Sequence, residues 1–452
     1  MENKIPLLFS EKVILAAKSY SLSADPFVGL ITSYLKSFVD INQLNLAYQK
    51  ITKAHTSFNL YFKRTEDSIN FEKEKLVPSS SDIKIFTNKK SLLLWQKTPL
   101  SDFPLQEMAF YKSFFHRRLF FKFHHLILDG RSVFHFFNDL SEIYLKLSSL
   151  NQTQLSQSNN NQMSSSKSSL KNLQIQKENE FKTYKKVMES FAIEEKTNQA
   201  QKINFWKNQI RNFKKEDKSS DNQIPKCAGM REQNIKEQTE FQTDFKELLT
   251  NSKKHNFHIK LNPLDLKKLA QIQKKTDIKL PYILFSIYSK SLKETFKINN
   301  LILKIAFSAR DHLTEVKEKK VIASLSRSMP LFIPNKEILI TEQALNLQKQ
   351  IKQIKKFLIL DKAPLDFNEL KSYSKLKDQF LNFSISYILY KEKNFIGKFK
   401  SFSYQSFFLD LSLFLILTEK DFSLSFSYNP YKFSKPELKK LSKEFSKQIK
   451  LL

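Results

Sequence analysis

A mixture of α and β structure, with sheets flanked by helices in each half, is what this chain predicts. Three observations carry that prediction. Its apolar segments change period several times, from the alternation of strands to the three-to-four spacing of helices. Its 452 residues, 41% of them hydrophobic and 42 of them Phe, suffice for two or three domains with sizeable cores. A polar stretch at 151–170 interrupts them: all but Leu155, Met163, Lys167 and Leu170 there are Ser, Thr, Asn or Gln. Such a segment buries too little apolar surface to order itself and reads as a mobile linker or loop.

In order along the chain, Leu44, Leu46, Ala47 and Ile51 have helical spacing and are followed by a strand over 58–62. From Leu119 to Ile127 the residues alternate as in a strand. After Asp129-Gly130 the period changes, and Val133, Phe137, Leu140, Tyr144 and Leu147 mark a helix that begins near Ser132. A second polar patch, 214–223, continues as a loop to about residue 254. Residues 261–296 hold two helices, and 300–309 and 380–390 read as strands. Residues 412–428 suit two strands joined by a turn at Glu419-Lys420-Asp421.

Composition excludes whole classes of function. The only glycines are Gly29, Gly130, Gly229 and Gly397, where average usage of about 7% would give roughly 32. Four isolated glycines can write neither a dinucleotide-binding G-x-G-x-x-G nor a P-loop. A single cysteine, Cys227, rules out internal disulfides and Cys-based metal clusters, which leads us to expect a reducing compartment, the cytoplasm. Cys227 sits in a polar loop with no His beside it and reads as no nucleophile. No secretory signal is visible, and the longest apolar run, 407–417, contains Asp410 and is far shorter than the ~20 residues of a membrane span.

With 75 Lys and Arg against 45 Asp and Glu, the formal charge is +30. The excess is Lys spread along the whole chain, without a basic run of five or an RNA-binding signature. We therefore expect an acidic protein partner rather than nucleic acid.

The chemistry-bearing segment is His124-His125-Leu126-Ile127-Leu128-Asp129-Gly130-Arg131-Ser132. A strand, a tight turn and a helix hold a side chain at the strand end in a fixed direction. By itself His125 reads as a core histidine or as a general base; imidazole suits the latter with its ordinary pKa near ~6.5. His124 points to the opposite strand face and reads as structural, and His135 as a surface or interlobe residue. His124, His125 and His135 diverge too far for a metal site, and none is expected. His255 and His258 flank a strand start with no evident role.

The segment resembles the HHxxxDG motif of the condensation domains of nonribosomal peptide synthetases, within the chloramphenicol-acetyltransferase-like superfamily. The family also places a strand before the motif, a D-G-x-S turn and a helix ending near a Tyr, here Tyr144. Residues 44–62, Tyr184, Phe205-Trp206, Phe307-Ser308-Ala309-Arg310 and Phe433 follow in family order, so the likeness spans about residues 5–450. Departures fall at Ala309 and Ala323, where the family has Gly, at Arg327 for Asn and at Phe332 for Arg.

The resemblance implies two acetyltransferase-like lobes in a V-shaped pseudo-dimer with the active site at their junction. The boundary falls near residue 170: 1–170 carries the motif, and 171–452 carries crossover segments within 312–332 and 398–412. It implies a freestanding acyltransferase that joins an acyl or aminoacyl thioester to an amine. The donor would sit on a carrier protein acting in trans or on CoA, with the phosphopantetheine arm as the only cofactor. His125 would be the base, with His124, Asp129, Gly130 and Arg310 structural and Asp129 paired with Arg310. Gly130 and Ser132 would supply oxyanion or substrate-positioning donors. An ester-forming relative, an epimerising relative and a catalytically idle carrier-docking module are the alternatives.

Overall fold

The computed structural model describes residues 4–8, 11–12, 14–15, 27–64, 71–76, 81–114, 116–156, 179–193, 204–206, 208–209, 211, 256–259, 261, 263–298, 301–334, 338–355, 383–389, 396–404, 411–417, 422–428 and 433–452. In chain order the strands are β1 (Lys4–Ile5), β2 (Val28–Leu35), β3 (Leu60–Arg64), β4 (Phe71–Lys75), β5 (Ile83–Phe86), β6 (Gln106–Lys112), β7 (Arg117–His124), β8 (Asn256–Ile259), β9 (Leu301–Ser308), β10 (Ser326–Ile333), β11 (Phe383–Leu389), β12 (Gly397–Tyr404), β13 (Leu411–Leu417) and β14 (Phe422–Tyr428). The helices are α1 (Ile41–Ala54), α2 (Lys89–Lys97), α3 (Gly130–Ser156), α4 (179–193), α5 (Pro263–Thr276), α6 (Leu280–Phe296), α7 (Val316–Lys319), α8 (Ile340–Lys355) and α9 (Lys435–Leu451). Two compact units result. The first comprises Met1–Ile193, Ser308–Ser326 and Lys391–Ser406, and the second the remainder. The boundary expected near residue 170, the polar patch 214–223, Cys227, His255 and the turn at 419–421 lie outside the described residues.

The first unit is built on a five-stranded sheet in the order β12-β2-β7-β6-β5, antiparallel except for the β5–β6 pair. Alternation gives β7 two different faces. On one face Phe121 stacks on Phe136 of α3 at 4.5 Å and meets Phe137 edge-on at 5.7 Å. Phe136 in turn meets Tyr48 of α1 and Phe58 edge-on. On the other face Phe120 packs with Leu92 and Trp95 of α2 and with Ala109. Gly29 of β2 permits this density, because a Cβ there would lie 2.8 Å from Phe123 Cζ. A smaller sheet in the order β1-β4-β3 completes the unit.

Two local boundaries differ from the periodic reading. Residues 56–59 form a 3₁₀ turn and the strand starts only at Leu60. Asn59 explains the shift: its Nδ2 donates to Thr52 O and His55 O, both at 2.9 Å, and closes the end of α1. Helix α3 starts at Gly130, because the Asp129 carboxylate caps it by accepting from Ser132 N at 2.7 Å. It also runs on to Ser156, so Tyr144 lies within the helix and not near its end. The Tyr144 hydroxyl accepts from Asp40 N at 3.0 Å, beside the cap of α1.

The second unit is built on a six-stranded sheet in the order β10-β9-β11-β13-β14-β8. β9, β11 and β13 run parallel, while β13, β14 and β8 are antiparallel. α6 is buried through Ile283, Leu284, Ile287 and Tyr288 and packs against α8 and α9. α9 begins with a reciprocal cap between Ser434 and Glu437, and Pro436 preorganises its first turn.

Candidate active site

The turn after β7 is tied down bond by bond. His124 N donates to Leu105 O and His125 N to Phe27 O, both at 2.9 Å, so the ladder continues past the strand. The His124 ring is buried, and its Nδ1 accepts from Leu126 N at 3.0 Å. His124 is thus a structural element of the turn.

The neighbouring ring is placed differently. His125 is partly exposed, with its Nδ1 2.8 Å from Leu128 O and its ring edge-on to Phe123 at 5.6 Å. A carbonyl oxygen only accepts, so Nδ1 carries the proton. In the neutral ring this puts the basic lone pair on Nε2.

Behind this turn lies a buried charge cluster within the first unit. Asp129 and Arg310 are both fully buried and paired through Oδ2 and Nη1. Asp129 also accepts from Ser132 N at 2.7 Å and Leu325 N at 2.9 Å. Burial alone would raise its pKa. The Arg310 charge and these bonds outweigh burial and hold the carboxyl below the usual carboxylate range. Arg310 Nη2 donates to Ser132 Oγ at 2.5 Å, Ala323 O at 2.8 Å and Val321 O at 3.1 Å. The segment 308–326 is thereby fastened to the turn that carries His125.

Ser132 is the latch of this cluster, a role the sequence reading missed. Its hydroxyl donates to Ala323 O at 2.6 Å and accepts from Ala323 N at 2.8 Å and from Arg310. With its N–H on Asp129 and its side chain fully buried, Ser132 has no donor left for a substrate oxygen. This corrects the expectation that it supplies an oxyanion donor. The signal was its place three residues after Asp129, where a helix cap uses the backbone N–H.

The remaining candidates scatter. Gly130 opens α3. His135 is half-buried and not a surface residue. Its Nε2 is buried without a hydrogen-bond partner, and burial, then the Arg310 charge, push its pKa down to about 4. His258 lies on β8 in register with Ser425, in the second unit. His55, which the sequence reading passed over, lies between Asp139 Oδ2 at 3.4 Å and Glu180 Oε1 at 3.6 Å.

No family model matches the chain, and no curated protein matches it in sequence. Solved structures match it in fold. The first condensation domain of the CDA synthetase aligns at a TM-score of 0.69 with 11% identity, over 99% of this chain and 95% of that one. The epimerization domain from the third module of tyrocidine synthetase B aligns at 0.65 with 13% identity, over 99% and 96%. The X-domain from teicoplanin biosynthesis aligns at 0.64 with 12% identity, over 99% and 94%. At these identities the likeness is one of fold. The chain has the condensation-domain fold, a mixed α/β architecture of the chloramphenicol-acetyltransferase-like type.

Proposed function

We propose that this chain is a condensation-type acyltransferase that joins an acyl or aminoacyl thioester to an amine and forms an amide. The observation that supports it most is the orientation of His125. Its Nδ1–H is held by Leu128 O on a turn clamped by Asp129 and Arg310, in a chain with the condensation-domain fold. Nε2 takes a proton from the acceptor nitrogen as that nitrogen attacks the thioester carbon. The tetrahedral oxyanion collapses, the C–S bond breaks, and the thiolate leaves with the proton returned from the imidazolium. Alignment contributes much of the rate, since amines attack thioesters readily once positioned. The Gly130 N–H at the start of α3 is the proposed oxyanion donor.

The donor acyl group arrives on the phosphopantetheine arm of an acidic carrier protein, or on CoA. The +30 charge favours such an encounter. An alcohol acceptor would give the ester by the same steps.

The test is thiol release from acyl-phosphopantetheine and acyl-CoA donors with pooled amines and alcohols, for wild type and His125→Ala, with products weighed by mass spectrometry. We expect turnover to fall by ~10²-fold or more in the variant while the unfolding temperature stays put. Equal turnover in both would remove His125 from the chemistry.

A second reading, a docking module without turnover, is favoured by one neighbour: the X-domain of teicoplanin biosynthesis, solved as a complex with OxyB. It predicts carrier-protein binding that survives His125→Ala and no product from either protein.

A further inference from the structure

The five-stranded sheet of the first unit has two ends, and His125 stands at one of them. The other end gathers the loop after β2, the link from β5 to α2, the turn between β6 and β7 and the start of β12. Register places Tyr34 beside Arg118 and Lys398, Lys112 beside Arg117, and Phe86 beside Tyr111. Two phenylalanines project there, Phe38 at 61% and Phe114 at 95% exposure. They follow β2 and β6, with β7 between, so their backbones stand two strand spacings, about 10 Å, apart.

Both rings are held on fixed supports. Ser113 N donates to His116 O at 2.9 Å and His116 N to Ser113 Oγ at 3.1 Å, which closes the turn that carries Phe114. Tight turns favour Gly, Asn or Asp, so a Phe here answers to no need of the backbone. Arg117 donates to the carbonyls of Lys36, Ser37 and Val39 and fastens the Phe38 loop to β7. Scattered exposed apolar residues are ordinary, whereas two rings on neighbouring tips form a patch.

The surrounding charges say what the patch meets. Lys36, Lys89, Lys90, Lys112 and Lys398 are all exposed at this end. In segments 36–40, 86–90, 111–118 and 396–398 the one carboxylate among the described residues is Asp40, and it is spent on Gln43 N as the cap of α1. Lys36 Nζ lies 5.7 Å from the centre of the Phe38 ring, so cation and ring are offered together. The surface that fits is anionic outside and apolar just beneath. A folded acidic protein would need a preformed pocket for each ring, whereas the headgroups of a fluid bilayer part to admit rings on projecting turns.

We propose that this end of the sheet attaches the protein to an anionic phospholipid bilayer, with Phe38 and Phe114 at the headgroup–acyl boundary and the lysines on the lipid headgroups. The attachment is peripheral: among the described residues no helix is long and apolar enough to cross a membrane. The eight residues of β7, about 26 Å, separate it from the His125 turn, and every residue named belongs to the first unit. It stands independently of the acyltransferase reading.

The test is flotation of the full chain with vesicles of phosphatidylcholine alone or with roughly 30% phosphatidylserine. We expect binding at least ~10-fold tighter to the anionic vesicles, weakened ~10-fold or more by Lys89→Glu with Lys90→Glu and ~5-fold or more by Phe114→Ser, which changes no charge. Lys274→Glu with Lys275→Glu makes the same charge change on exposed residues of α5 in the second unit and should alter the affinity by less than ~2-fold. Matching urea midpoints confirm that each variant is folded. No binding to either vesicle, equal binding to both, or indifference to Phe114→Ser would each overturn the proposal. An equal loss in the α5 pair would reduce the effect to net charge and overturn it too. Soluble poly-L-glutamate is the protein-like probe: if its binding depends on Phe114 and vesicle binding does not, the patch serves an acidic protein and the lipid assignment falls.

Discussion

Replacing Arg310 by Met tests the buried cluster behind His125. The substitution keeps much of the aliphatic volume and deletes the guanidinium that donates to Asp129, Ser132, Val321 and Ala323. Asp129, fully buried, keeps only the N–H groups of Ser132 and Leu325. A buried carboxylate stripped of its cation costs about 3–5 kcal/mol. For a unit of this size that lowers the unfolding temperature by about 6–20 °C.

The pH dependence has a definite sign. In the native protein the folded pKa of Asp129 lies below the ordinary value near ~3.9, so its contribution is present above that pH and is lost as pH falls through the folded value. In Arg310→Met burial becomes the dominant influence and raises the carboxyl instead. The deficit is then largest at pH 7–8 and shrinks as pH falls and Asp129 takes up its proton.

The two tryptophans make the assay specific. Trp95 packs in the first unit, and Trp206 lies in the second. In a Trp206→Phe background, urea unfolding read by fluorescence therefore reports the unit that holds the cluster. Adding Asp129→Asn to Arg310→Met removes the stranded charge and should recover about 1–3 kcal/mol. A deficit under ~1 kcal/mol at pH 7, or one that does not change between pH 5 and 8, would refute the argument.

Two further outcomes follow from the first unit. Burial disfavours protonated His55, but Asp139 and Glu180 outweigh it and raise its pKa to about 9. A raised histidine contributes stability fully below its ordinary pKa of about 6.5 and loses it as pH rises through the folded value, so stability should decline between pH 6.5 and 9 in wild type and stay flat in His55→Phe. An NMR titration of the ring with a midpoint at or below 6.5 would contradict this. Gly29→Ala should cost about 1–3 kcal/mol, because its Cβ would press on Phe123 Cζ, and Phe123 is fully buried between Phe121 and Phe402. The Trp95 unfolding assay checks it, and a cost below ~0.5 kcal/mol would mean the ring yields freely.

The parts of this molecule that could be read from its residues are those fixed by short-range periodicity. The change from alternating Leu119, Phe121 and Phe123 to helical Val133, Phe137, Leu140 and Tyr144 marks β7 and α3, because each burial repeats within two to four positions. The errors sit where a polar side chain settles the backbone. Asn59 closes α1 and delays β3, and Asp129 caps α3 earlier than its apolar stripe begins. Neither bond leaves a trace in hydrophobic spacing.

The same limit applies to the buried polar groups. Ser132 reaches Ala323 across 191 positions, Arg310 reaches Asp129 across 181, and His55 reaches Glu180 across more than a hundred. The Asp129–Arg310 pair was expected from the family resemblance alone, and it is present; hydrophobic spacing points from neither member to the other, and the Ser132 and His55 contacts were not expected at all. The candidate base and its Asp129–Arg310 clamp were legible through the resemblance, while the main-chain bonds that aim the ring were not. His125 takes its direction from three main-chain neighbours and a clamp: Phe27 O on its N–H, Leu105 O on the preceding one, Leu128 O on its ring, and Asp129 fixed by Arg310.

That division of labour separates the two central tests. On the proposed reading, loss of the clamp removes stability first and turnover only through disorder of the turn, whereas loss of the His125 ring removes the bond to Leu128 O and leaves the backbone-to-backbone bonds of the turn in place. Arg310→Met should therefore lower turnover only in proportion to the turn it loosens, and that loss should shrink at the acidic pH where Asp129 is neutral. A His125→Ala defect should persist at every pH at which the fold is intact.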